Sequence, residues 1–314
     1  MRILVIGSGM AGLTAARRLC AAGHEVTVVD KGRRPGGRMA TVTLDDGARA
    51  DKGAQFFTVR SPEFTAAVEG WLEDGLVHEW CRGFTTADGH PRYVVTEGMA
   101  DLAMYLTDDV DVCQSVHVDT VRAVDGGWEA TWPAGHGGVG GSWHGDAVVI
   151  TAPVPQAAAL LGPGIAVPDI VYEATLSLVV ALDGPSAVPD PGGVQLTDDP
   201  VWSWVGDNQA KGVSLVDAVT LHTTAEVATS RWDEETAGLT SWLLDSAAPW
   251  LGGSAVLDAR LHRWRYATPV EPYATRFFEV APGAYLAGDA FGGPRVEGAY
   301  LSGLAVAERI DSAL

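Results

Sequence analysis

The opening thirty residues constrain the fold more than any other stretch of the chain. The apolar run from Ile3 to Ile6 predicts a buried parallel strand, the glycines that follow have the spacing GxGxxG, and residues 13–22 are good helix formers. A second strand pattern ends at Asp30, eighteen positions after Gly12, close to the roughly 20 expected for a carboxylate that binds a ribose hydroxyl. Together they predict a βαβ unit that binds a dinucleotide, without separating FAD from NAD.

The three glycines of this fingerprint have separate roles. The first permits a sharp turn, the second lets the backbone approach a pyrophosphate, and the third allows the helix to pack closely on the strand. The free N–H groups and the positive end of the helix dipole then hold the diphosphate. We therefore predict a diphosphate site at Gly7, Gly9, Met10, Ala11 and Gly12.

The charge balance disfavours two classes of partner. The chain has 21 Lys and Arg against 40 Asp and Glu, a formal net charge of −19, which repels nucleic acids and anionic membranes. Its three cysteines show neither disulfide nor metal spacing, and no metal site is predicted. The chain has no apolar run of about 18 residues or more and starts as a strand. We expect a cytoplasmic protein with reduced cysteines; the oligomeric state is not predicted.

A glycine-rich, basic loop follows Asp30. It carries Lys31, Arg33 and Arg38 in an otherwise acidic chain. A solvated turn would explain these charges, but a phosphate beside the loop needs neutralising, which favours Arg33 and Arg38 as diphosphate or flavin contacts.

Four motifs in order make the resemblance specific. They are the fingerprint, DKGRRPGGRM at 30–39, DKGAQFFT at 51–58, and a Gly-Asp pair at 288–289 followed by GGPRVEGAYLSG at 292–303. With these motifs, which cover about a third of the chain, the sequence resembles the flavin amine oxidase superfamily. Within that superfamily it most resembles the renalases, especially their bacterial branch.

The resemblance implies an α/β fold with FAD bound in an extended conformation. Because residues 288–303 contain no Cys or His to form a covalent link, we predict non-covalent FAD. The FAD domain is expected to be Rossmann-like and discontinuous, with p-hydroxybenzoate-hydroxylase-like topology, and to comprise residues 1–60, 95–164 and 280–314. A smaller α+β substrate domain with an antiparallel sheet is expected at 61–94 and 165–279.

The resemblance also assigns cofactor-binding residues by motif. Asp30 would bind the adenosine ribose, Val118 would approach the adenine, and Gln55 and Phe56 would line the isoalloxazine. The remaining expected contacts, to the diphosphate, the ribityl chain and the flavin edge, are Lys31, Gly37, Arg38, Met39, Gly288, Asp289, Arg295, Val296, Glu297, Gly298 and Ala299. At residues 296–299, the N-terminus of the last helix would stabilise negative charge on the flavin.

Residues 259–269 predict a strand that resembles the aromatic, basic strand by which the family enters the flavin region. By period two, His262, Trp264 and Tyr266 share one face, whereas Arg263 and Arg265 share the other. Our hypothesis is that one of these faces lines the substrate pocket, with simple sheet packing as the alternative. The pocket candidates are His262, Trp264, Tyr266, Gln55 and Phe56.

Three further patterns predict local structure. Residues 61–75 predict a helix capped by Ser61, with Leu72 in its buried stripe, and a capping-box-like Ser230 predicts a helix over 230–244. Short strands at 110–113, 116–124 and 128–132 are expected to form a three-stranded sheet. Asp46 and Gly47 predict a hairpin within 41–49.

The resemblance implies oxidation of 2- and 6-dihydro isomers of NAD(P) by hydride transfer to flavin N5, with O2 as the acceptor and H2O2 as a product. Such a donor supplies its own electron push from the ring nitrogen, so the protein needs to stack and orient it rather than provide an acid or base. The sequence shows no obvious catalytic dyad. No catalytic acid or base is therefore assigned.

Three other functions stay open. An FAD-dependent amine oxidase of this group places a lysine near flavin N5; the chain has Lys31, Lys52 and Lys211, and the first two lie inside FAD motifs. Carotenoid-type desaturation would need a membrane-facing apolar entry, for which no amphipathic anchor is evident. A flavin- or nucleotide-binding protein without turnover would use the same cofactor residues.

Overall fold

The fold was taken from a computed structural model, which describes residues 1–45, 47–84, 87–134 and 139–313, with only the backbone of 87 and 88. Asp46, at the turn of the predicted hairpin, lies outside the described residues. The helices are α1 Met10–Ala21, α2 Pro62–Glu73, α3 Met99–Tyr105, α4 Val154–Leu161, α5 Ala225–Ser230, α6 Thr236–Ala247 and α7 Val296–Asp311, with 3-10 turns at Gly37–Met39 and Ala248–Trp250. The strands are β1 Arg2–Ile6, β2 Glu25–Asp30, β3 Thr41–Thr43, β4 Arg49–Asp51, β5 Val77–Gly83, β6 Ala87–Val95, β7 Asp111–Gln114, β8 Thr120–Val124, β9 Gly127–Trp132, β10 Gly141–Gly145, β11 Ala147–Ile150, β12 Tyr172–Leu182, β13 Gly193–Gln195, β14 Trp202–Asp207, β15 Ala218–Thr223, β16 Val256–Pro269, β17 Phe277–Ala281 and β18 Ala284–Ala287.

The chain divides into two compact units. Unit 1 comprises residues 1–37, 102–171 and 269–314, and unit 2 comprises residues 38–101 and 172–268, so the two are of similar length. The predicted domain limits place residues 38–60 with the cofactor domain, whereas in the structure these residues pack with unit 2, where Ala48 and Ala50 contact Val179 and Ala218. The domain assignment itself stays a prediction.

Unit 1 is built on a six-stranded, mostly parallel sheet in the order β17-β18-β11-β1-β2-β7. The strand β1 is central and pairs in parallel with β2 and β11, as its apolar run from Ile3 to Ile6 predicts. Residues Ile3 and Val5 of β1 pack on one face against α1 and α7, through Leu19 and Val306. The predicted α/β fold with a Rossmann-like unit is confirmed.

The parallel strands of unit 1 bring several loops to one edge of the sheet. Carboxyl ends of parallel strands lie at the same edge, so the residues after Ile6, Asp30, Ile150 and Ala287 are neighbours there. From β1, the sheet continues through β2 and β7 on one side and through β11 and β18 on the other, so the strand order changes direction at β1. This change of direction is the place where open α/β sheets bind ligands.

The three-stranded sheet differs from the prediction in one strand. Its order is β10-β9-β8, so the third strand is β10 at Gly141–Gly145. The strand predicted at 110–113 is β7, which instead pairs in parallel with β2 from Asp111 to Gln114. Strand partners are set by contacts distant in sequence, which local patterns do not encode.

Unit 2 contains a five-stranded sheet in the order β13-β14-β15-β12-β16, in which the pairs β13–β14, β14–β15 and β15–β12 are antiparallel. One face packs against α5 and α6, where Leu178, Val205 and Leu221 meet Leu239 and Leu243. The opposite face carries the β3–β4 hairpin and the residues that follow it. The predicted antiparallel sheet is therefore present.

Two local helix predictions need correction. Ser61 caps α2 as expected, accepting a hydrogen bond from the Phe64 N–H at 3.4 Å, but Leu72 is 38% exposed rather than buried. The helix predicted over 230–244 is broken: α5 ends at Ser230 and α6 begins at Thr236, with the Glu235 carboxylate accepting from two backbone N–H groups of its first turn. The longer Glu235 side chain caps α6, so Ser230 has no capping role there.

Among the described residues, no helix is long and apolar enough to cross a membrane.

Candidate functional site

The fingerprint glycines of unit 1 form a close-packed turn. A Cβ on Gly12 would lie 1.9 Å from the Gly7 carbonyl oxygen, and one on Gly7 would lie 2.3 Å from Thr151 Oγ1. Gly7 also has a φ of +113°, which favours glycine. By contrast, a Cβ on Gly9 would meet the Gly36 carbonyl oxygen at 4.0 Å as its nearest neighbour, so that backbone has an open side that a phosphate could approach.

The N-terminus of α1 is open to an anion. Gly9 is its N-cap, and no side chain of the described residues caps this end. The first-turn N–H groups of Met10, Ala11 and Gly12 thus have no intrahelical acceptor, as at every helix start. The predicted diphosphate residues therefore lie together, with their donors and the positive end of the dipole at the sheet edge.

Asp30 ends β2 at the same edge and is already oriented. Its Oδ2 accepts from the Ser8 N–H and its Oδ1 from the Gly32 N–H, both at 2.6 Å. Beside it, Gln114 donates to Ser8 Oγ at 3.2 Å, while Gln114 Oε1 is buried without a partner among the described residues. Each Asp30 oxygen keeps a lone pair for a hydroxyl, and Gln114 offers an unused polar atom. Val118, predicted near the adenine, is buried at 5% exposure.

The basic loop divides between the two units. Lys31 donates to Gln156 at 3.3 Å, and Arg33 is exposed, both in unit 1. Arg38 belongs to unit 2, where its Nη1 donates to the carbonyls of Tyr266 and Ala267 at 3.3 and 3.0 Å. Arg38 thus ties the 3-10 turn that contains buried Met39 to the end of β16. Its phosphate role stays a prediction.

The closing motif places a second helix start at the sheet edge of unit 1. A Cβ on Gly303 would lie 2.4 Å from the Ala11 carbonyl, so α7 lies directly on α1. Gly288 donates its N–H to Ser302 Oγ at 2.8 Å, which ties the strand end to the helix. At the N-terminus of α7, Glu297 is buried, Val296 and Ala299 are half-buried, and Arg295 is exposed as the N-cap. The half-buried Asp289 directly follows Gly288.

In unit 2, the two sets of side chains on the predicted pocket strand, β16, face opposite sides of the sheet. Arg263 donates to the carbonyls of Trp232 and Glu234, and the Arg265 guanidinium lies 4.8 Å from the Trp232 ring centroid, so these arginines face the helices. Trp264 instead donates from Nε1 to the Lys52 carbonyl at 2.8 Å. His262, Trp264 and Tyr266 therefore share the sheet side that carries the DKGAQFF motif.

Neighbouring strands extend this side of the sheet. His222 on β15 pairs directly with Ser177 on β12 and Trp204 on β14, whereas Leu221 next to it faces the helices. Because strand side chains alternate, the three lie on the side that carries Trp264. We call this surface the motif face, defined by Lys52, Gln55, Phe56, Ser177, Trp204, His222, His262, Trp264 and Tyr266.

A fully buried ion pair lies beneath the DKGAQFF motif. Lys211 and Asp51 are both 0% exposed, with Nζ 3.2 Å from Asp51 Oδ2. The ammonium also donates to Gln55 Oε1 at 3.0 Å, while Gln55 Nε2 donates to the Asp51 carbonyl at 2.6 Å. Burial lowers the pKa of Lys211, and the Asp51 carboxylate opposes that shift. Both ends of the Gln55 amide are thereby fixed.

The carboxylate of Asp51 is held by other donors as well. Its Oδ1 accepts from the Met99 N–H at 2.8 Å and from Thr41 Oγ1 at 2.7 Å. Its own backbone carbonyl accepts from Thr220 Oγ1 at 3.0 Å. A buried charge with this many partners holds its segment in one position on the sheet.

The backbone of Lys52 is held from several directions. Its N–H donates to the Ala40 carbonyl at 3.0 Å, its carbonyl accepts from Trp264, and His222 hydrogen-bonds to its backbone. The Lys52 ammonium lies 3.5 Å from His262 Nδ1 and 5.6 Å from the Trp264 ring centroid. Its side chain therefore projects from a fixed point.

The histidines of the motif face are neutral at pH 7. Burial lowers the pKa of His222 to about 4, with a smaller lowering effect from Lys211. Burial, followed by the charge of Lys52, lowers the pKa of His262 to about 4 as well. The Nε2 of His222 is also buried without a partner among the described residues. Among the side chains that define this face, the positively charged one is therefore Lys52, and the Arg38 guanidinium contacts the Tyr266 carbonyl at its end.

Phe56 packs into a cluster of four aromatic rings. Its ring centroid lies 5.2 Å from that of Phe84, 5.5 Å from that of Trp204 and 6.4 Å from that of Trp80. A Cβ on Gly193 would lie within 3.0 Å of three of these rings, so they close on the sheet backbone. This contact joins the β5–β6 hairpin to the sheet; the flavin role of Phe56 stays a prediction.

Sequence reasoning did not assign several members of the motif face and of the buried pair beneath it: Lys52, Ser177, Trp204, His222, Asp51 and Lys211. Lys211 is a spare lysine in a turn by sequence, and its partner Asp51 is 160 residues away, so no local signal reveals the pair. Lys52 stands inside a quoted motif, and its charge next to two predicted pocket residues was the available signal. His222 and Trp204 carried no signal beyond strand alternation.

With the fold and these contacts in place, comparisons with known proteins identify the family. Residues 5–70 match an NAD(P)-binding Rossmann-like domain, and residues 75–311 match the family described as flavin containing amine oxidoreductase. The second match covers well over half of the chain. The chain belongs to the flavin-containing amine oxidoreductase family.

Similar curated proteins match over short stretches. A hydroxyneurosporene desaturase from Rubrivivax gelatinosus is 51% identical over 59 residues, which are 19% of this chain and 11% of the desaturase. Polyamine oxidase 1 from Oryza sativa subsp. japonica is 39% identical over 102 residues, 30% of this chain and 19% of the oxidase. The matched stretches thus span less than a fifth of these relatives.

Solved structures share the fold at low identity. A protein named as a candidate protoporphyrinogen oxidase, from Exiguobacterium sp. 255-15, has a TM-score of 0.76 at 13% identity, covering 100% of this chain and 99% of that one. Wild-type putrescine oxidase bound to putrescine has a TM-score of 0.70 at 15% identity and covers 99% of both chains. At these identities the similarity establishes the fold alone.

The family establishes FAD as a non-covalent cofactor, and the residues of unit 1 fit it. The open Gly9 backbone and the uncapped start of α1 suit a diphosphate, while Asp30 and the unpartnered Gln114 Oε1 suit a ribose or adenine. The fingerprint residues and Asp30 are thus brought together at one sheet edge of unit 1, whereas Arg38 and Met39 belong to unit 2. Whether each one touches FAD stays a prediction.

Proposed function

We propose that this flavin-dependent oxidoreductase is a renalase-like oxidase of dihydronicotinamides. Its substrates would be the 2- and 6-dihydro isomers of NAD(P), with O2 as the electron acceptor and NAD(P)+ and H2O2 as products. Bound FAD would supply the acceptor for the hydride. The chain's own residues would bind the donor, orient its ring and exclude water, and no side chain is assigned a proton transfer.

The observation that carries this choice is the charge of the motif face. Its positive group is Lys52, its histidines are neutral, and the nearby carboxylate of Asp51 is buried against Lys211. Among the described residues Lys52 has no ion-pair partner, so a protonated amine would meet a like charge here, whereas a nicotinamide nucleotide is an anion. Like charges at close range disfavour binding and opposite charges favour it.

The aromatic groups of the motif face suit a planar donor. Trp264 and His262 lie edge to face with centroids 4.1 Å apart, and Tyr266 contacts Tyr172 in the same way at 5.5 Å. Gln55, fixed by the Asp51 and Lys211 network, offers a polar group of set direction. Orienting a reactive ring with rigid neighbours is sufficient for a donor that supplies its own electron push.

An amine oxidase is the second candidate, favoured by the similarity to polyamine oxidase 1 over 30% of the chain. Of the three lysines, Lys211 is tied to Asp51 and Gln55, and Lys31 lies in unit 1. The amine reading would therefore depend on Lys52, whose charge would disfavour a protonated amine but not a neutral one.

The test is anaerobic stopped-flow mixing of the purified holoprotein with candidate donors at pH 7.5. We expect 6-dihydro-NAD(P) to bleach the flavin absorbance at least about a hundredfold faster than 4-dihydro-NAD(P), putrescine or spermidine. Faster bleaching by either amine would replace the proposal with an amine oxidase. Absence of bleaching by all donors would favour a binding protein without turnover.

A further inference from the structure

Lys52 is a half-buried cation without an ion-pair partner among the described residues. Its ammonium contacts His262 Nδ1 at 3.5 Å and lies 5.6 Å from the Trp264 ring centroid. Lys211, by comparison, has Asp51 at 3.2 Å. Of the three lysines of the chain, Lys31 is exposed and Lys211 is buried with Asp51, so Lys52 is the half-buried one.

The surroundings of this ammonium favour an incoming anion. An indole and a neutral imidazole do not neutralise a cation, and partial burial removes part of its hydration. That burial also lowers the pKa of Lys52. A phosphate would restore the lost interactions with a charge-assisted hydrogen bond, which is stronger than a neutral one.

The position of the cation is set by the protein rather than by chance. The Lys52 backbone donates to Ala40 and accepts from Trp264 on β16, and His222 on β15 hydrogen-bonds to it as well. Next to it, the Asp51 backbone N–H donates to Asn208 Oδ1 at 3.2 Å in the buried network. The origin of the side chain is therefore fixed, and its flexible end is free to leave the indole for a ligand.

We propose that Lys52 binds a phosphate of the substrate and so makes the enzyme select phosphorylated dihydronicotinamides over the uncharged riboside. This inference rests on the proposed function and names the part of the substrate that the motif face recognises. Lys52 is a specificity-determining residue here, not a proton donor or acceptor.

The kinetic test compares 6-dihydronicotinamide mononucleotide with 6-dihydronicotinamide riboside, which lacks the phosphate. In the wild-type holoenzyme we expect kcat/KM to be higher for the mononucleotide by about tenfold or more, as a charged hydrogen bond allows. Lys52→Met should abolish that ratio by raising KM for the mononucleotide while leaving the riboside within about twofold. Lys52→Arg should retain most of the ratio.

The matched control is Arg231→Met. Arg231 also lies over an indole, 3.7 Å from the Trp242 ring centroid, but Glu234 pairs with it at 2.7 Å. Its removal changes the net charge equally and should leave the ratio unchanged. A Lys52→Met variant that loses activity on both substrates equally, or keeps the wild-type ratio, would overturn the inference.

A binding measurement separates this inference from the proposed function. Isothermal titration of the oxidised holoprotein with oxidised nicotinamide mononucleotide and with nicotinamide riboside needs no turnover. If no dihydronicotinamide reduces the flavin, the proposed function fails. Phosphate-dependent binding that Lys52→Met removes would still support the anion site, and equal binding of both compounds by wild type would refute it.

Discussion

The buried pair between Lys211 and Asp51 gives the sharpest stability prediction. Lys211→Met keeps the alkyl chain but removes the ammonium, leaving the Asp51 carboxylate at 0% exposure without its cation. It also removes the donor to Gln55 Oε1. Removing one partner of a buried pair costs about 3–5 kcal/mol. Since Met99 and Thr41 still donate to Asp51 Oδ1, we expect a loss near the lower end, about 3 kcal/mol.

The assay is equilibrium urea unfolding of the holoprotein in saturating FAD, followed by tryptophan fluorescence. The midpoint should fall while the m-value stays constant, because the surface exposed on unfolding is unchanged. The double variant Asp51→Asn with Lys211→Met should be more stable than Lys211→Met alone by about 1 kcal/mol or more, since no charge is left unpaired.

The control for this experiment is Arg309→Met. Arg309 pairs with Glu279 at 3.0 Å, but its side chain is 39% exposed, so the loss should stay below about 1 kcal/mol. If Lys211→Met were as mild as Arg309→Met, or if the double variant lost the sum of both single losses, the reasoning about the buried pair would be refuted.

Two further predictions concern pH and cofactor binding. The pKa of His222 is 6.5 in the unfolded chain and about 4 in the folded protein, so the unfolded chain binds the proton more readily. The resulting contribution to the free energy of unfolding, about 3 kcal/mol, is present above pH 6.5 and is lost as pH falls towards 4. His222→Gln should therefore flatten the pH dependence of the urea midpoint between pH 4 and 6.5. An unchanged slope of the midpoint against pH would contradict the assignment of this dependence to His222. Gly12→Ala would place a Cβ 1.9 Å from the Gly7 carbonyl, so the Kd for FAD in fluorescence titration should rise by about tenfold or more. Gly70→Ala, where a Cβ meets nothing within 4 Å, should leave that Kd unchanged. Equal effects of the two substitutions would refute the claim that the close-packed fingerprint turn is needed for FAD binding.

The cofactor edge of unit 1 was predictable because its determinants are local. A buried strand, three spaced glycines and an acid after the next strand predict a turn, a helix start and a carboxylate that the parallel sheet must bring to one edge. The structure places Gly7, Gly12 and Asp30 there. Sheet pairing brings these residues together, and contacts such as that of the Asp30 carboxylate with the Ser8 N–H add to it.

The motif face was only partly predictable because its determinants are distant in sequence. Alternation assigned His262 and Trp264 to one side of β16, but which side faces the DKGAQFF motif depends on contacts with Lys52 across 212 residues. The same holds for Lys211 and Asp51, which are 160 residues apart. The sequence did not assign a role to Lys211, and only the structure shows that it pairs with Asp51. The exchange of β7 for β10 in the three-stranded sheet has the same cause.

The central claim is tested most directly by an anaerobic titration of the oxidised holoprotein with 6-dihydro-NAD. The account predicts that one equivalent per flavin bleaches the absorbance completely and yields one NAD+, and that admitting O2 restores the colour with one H2O2. Full bleaching by an amine with none by 6-dihydro-NAD, or no reduction by either donor, would contradict it.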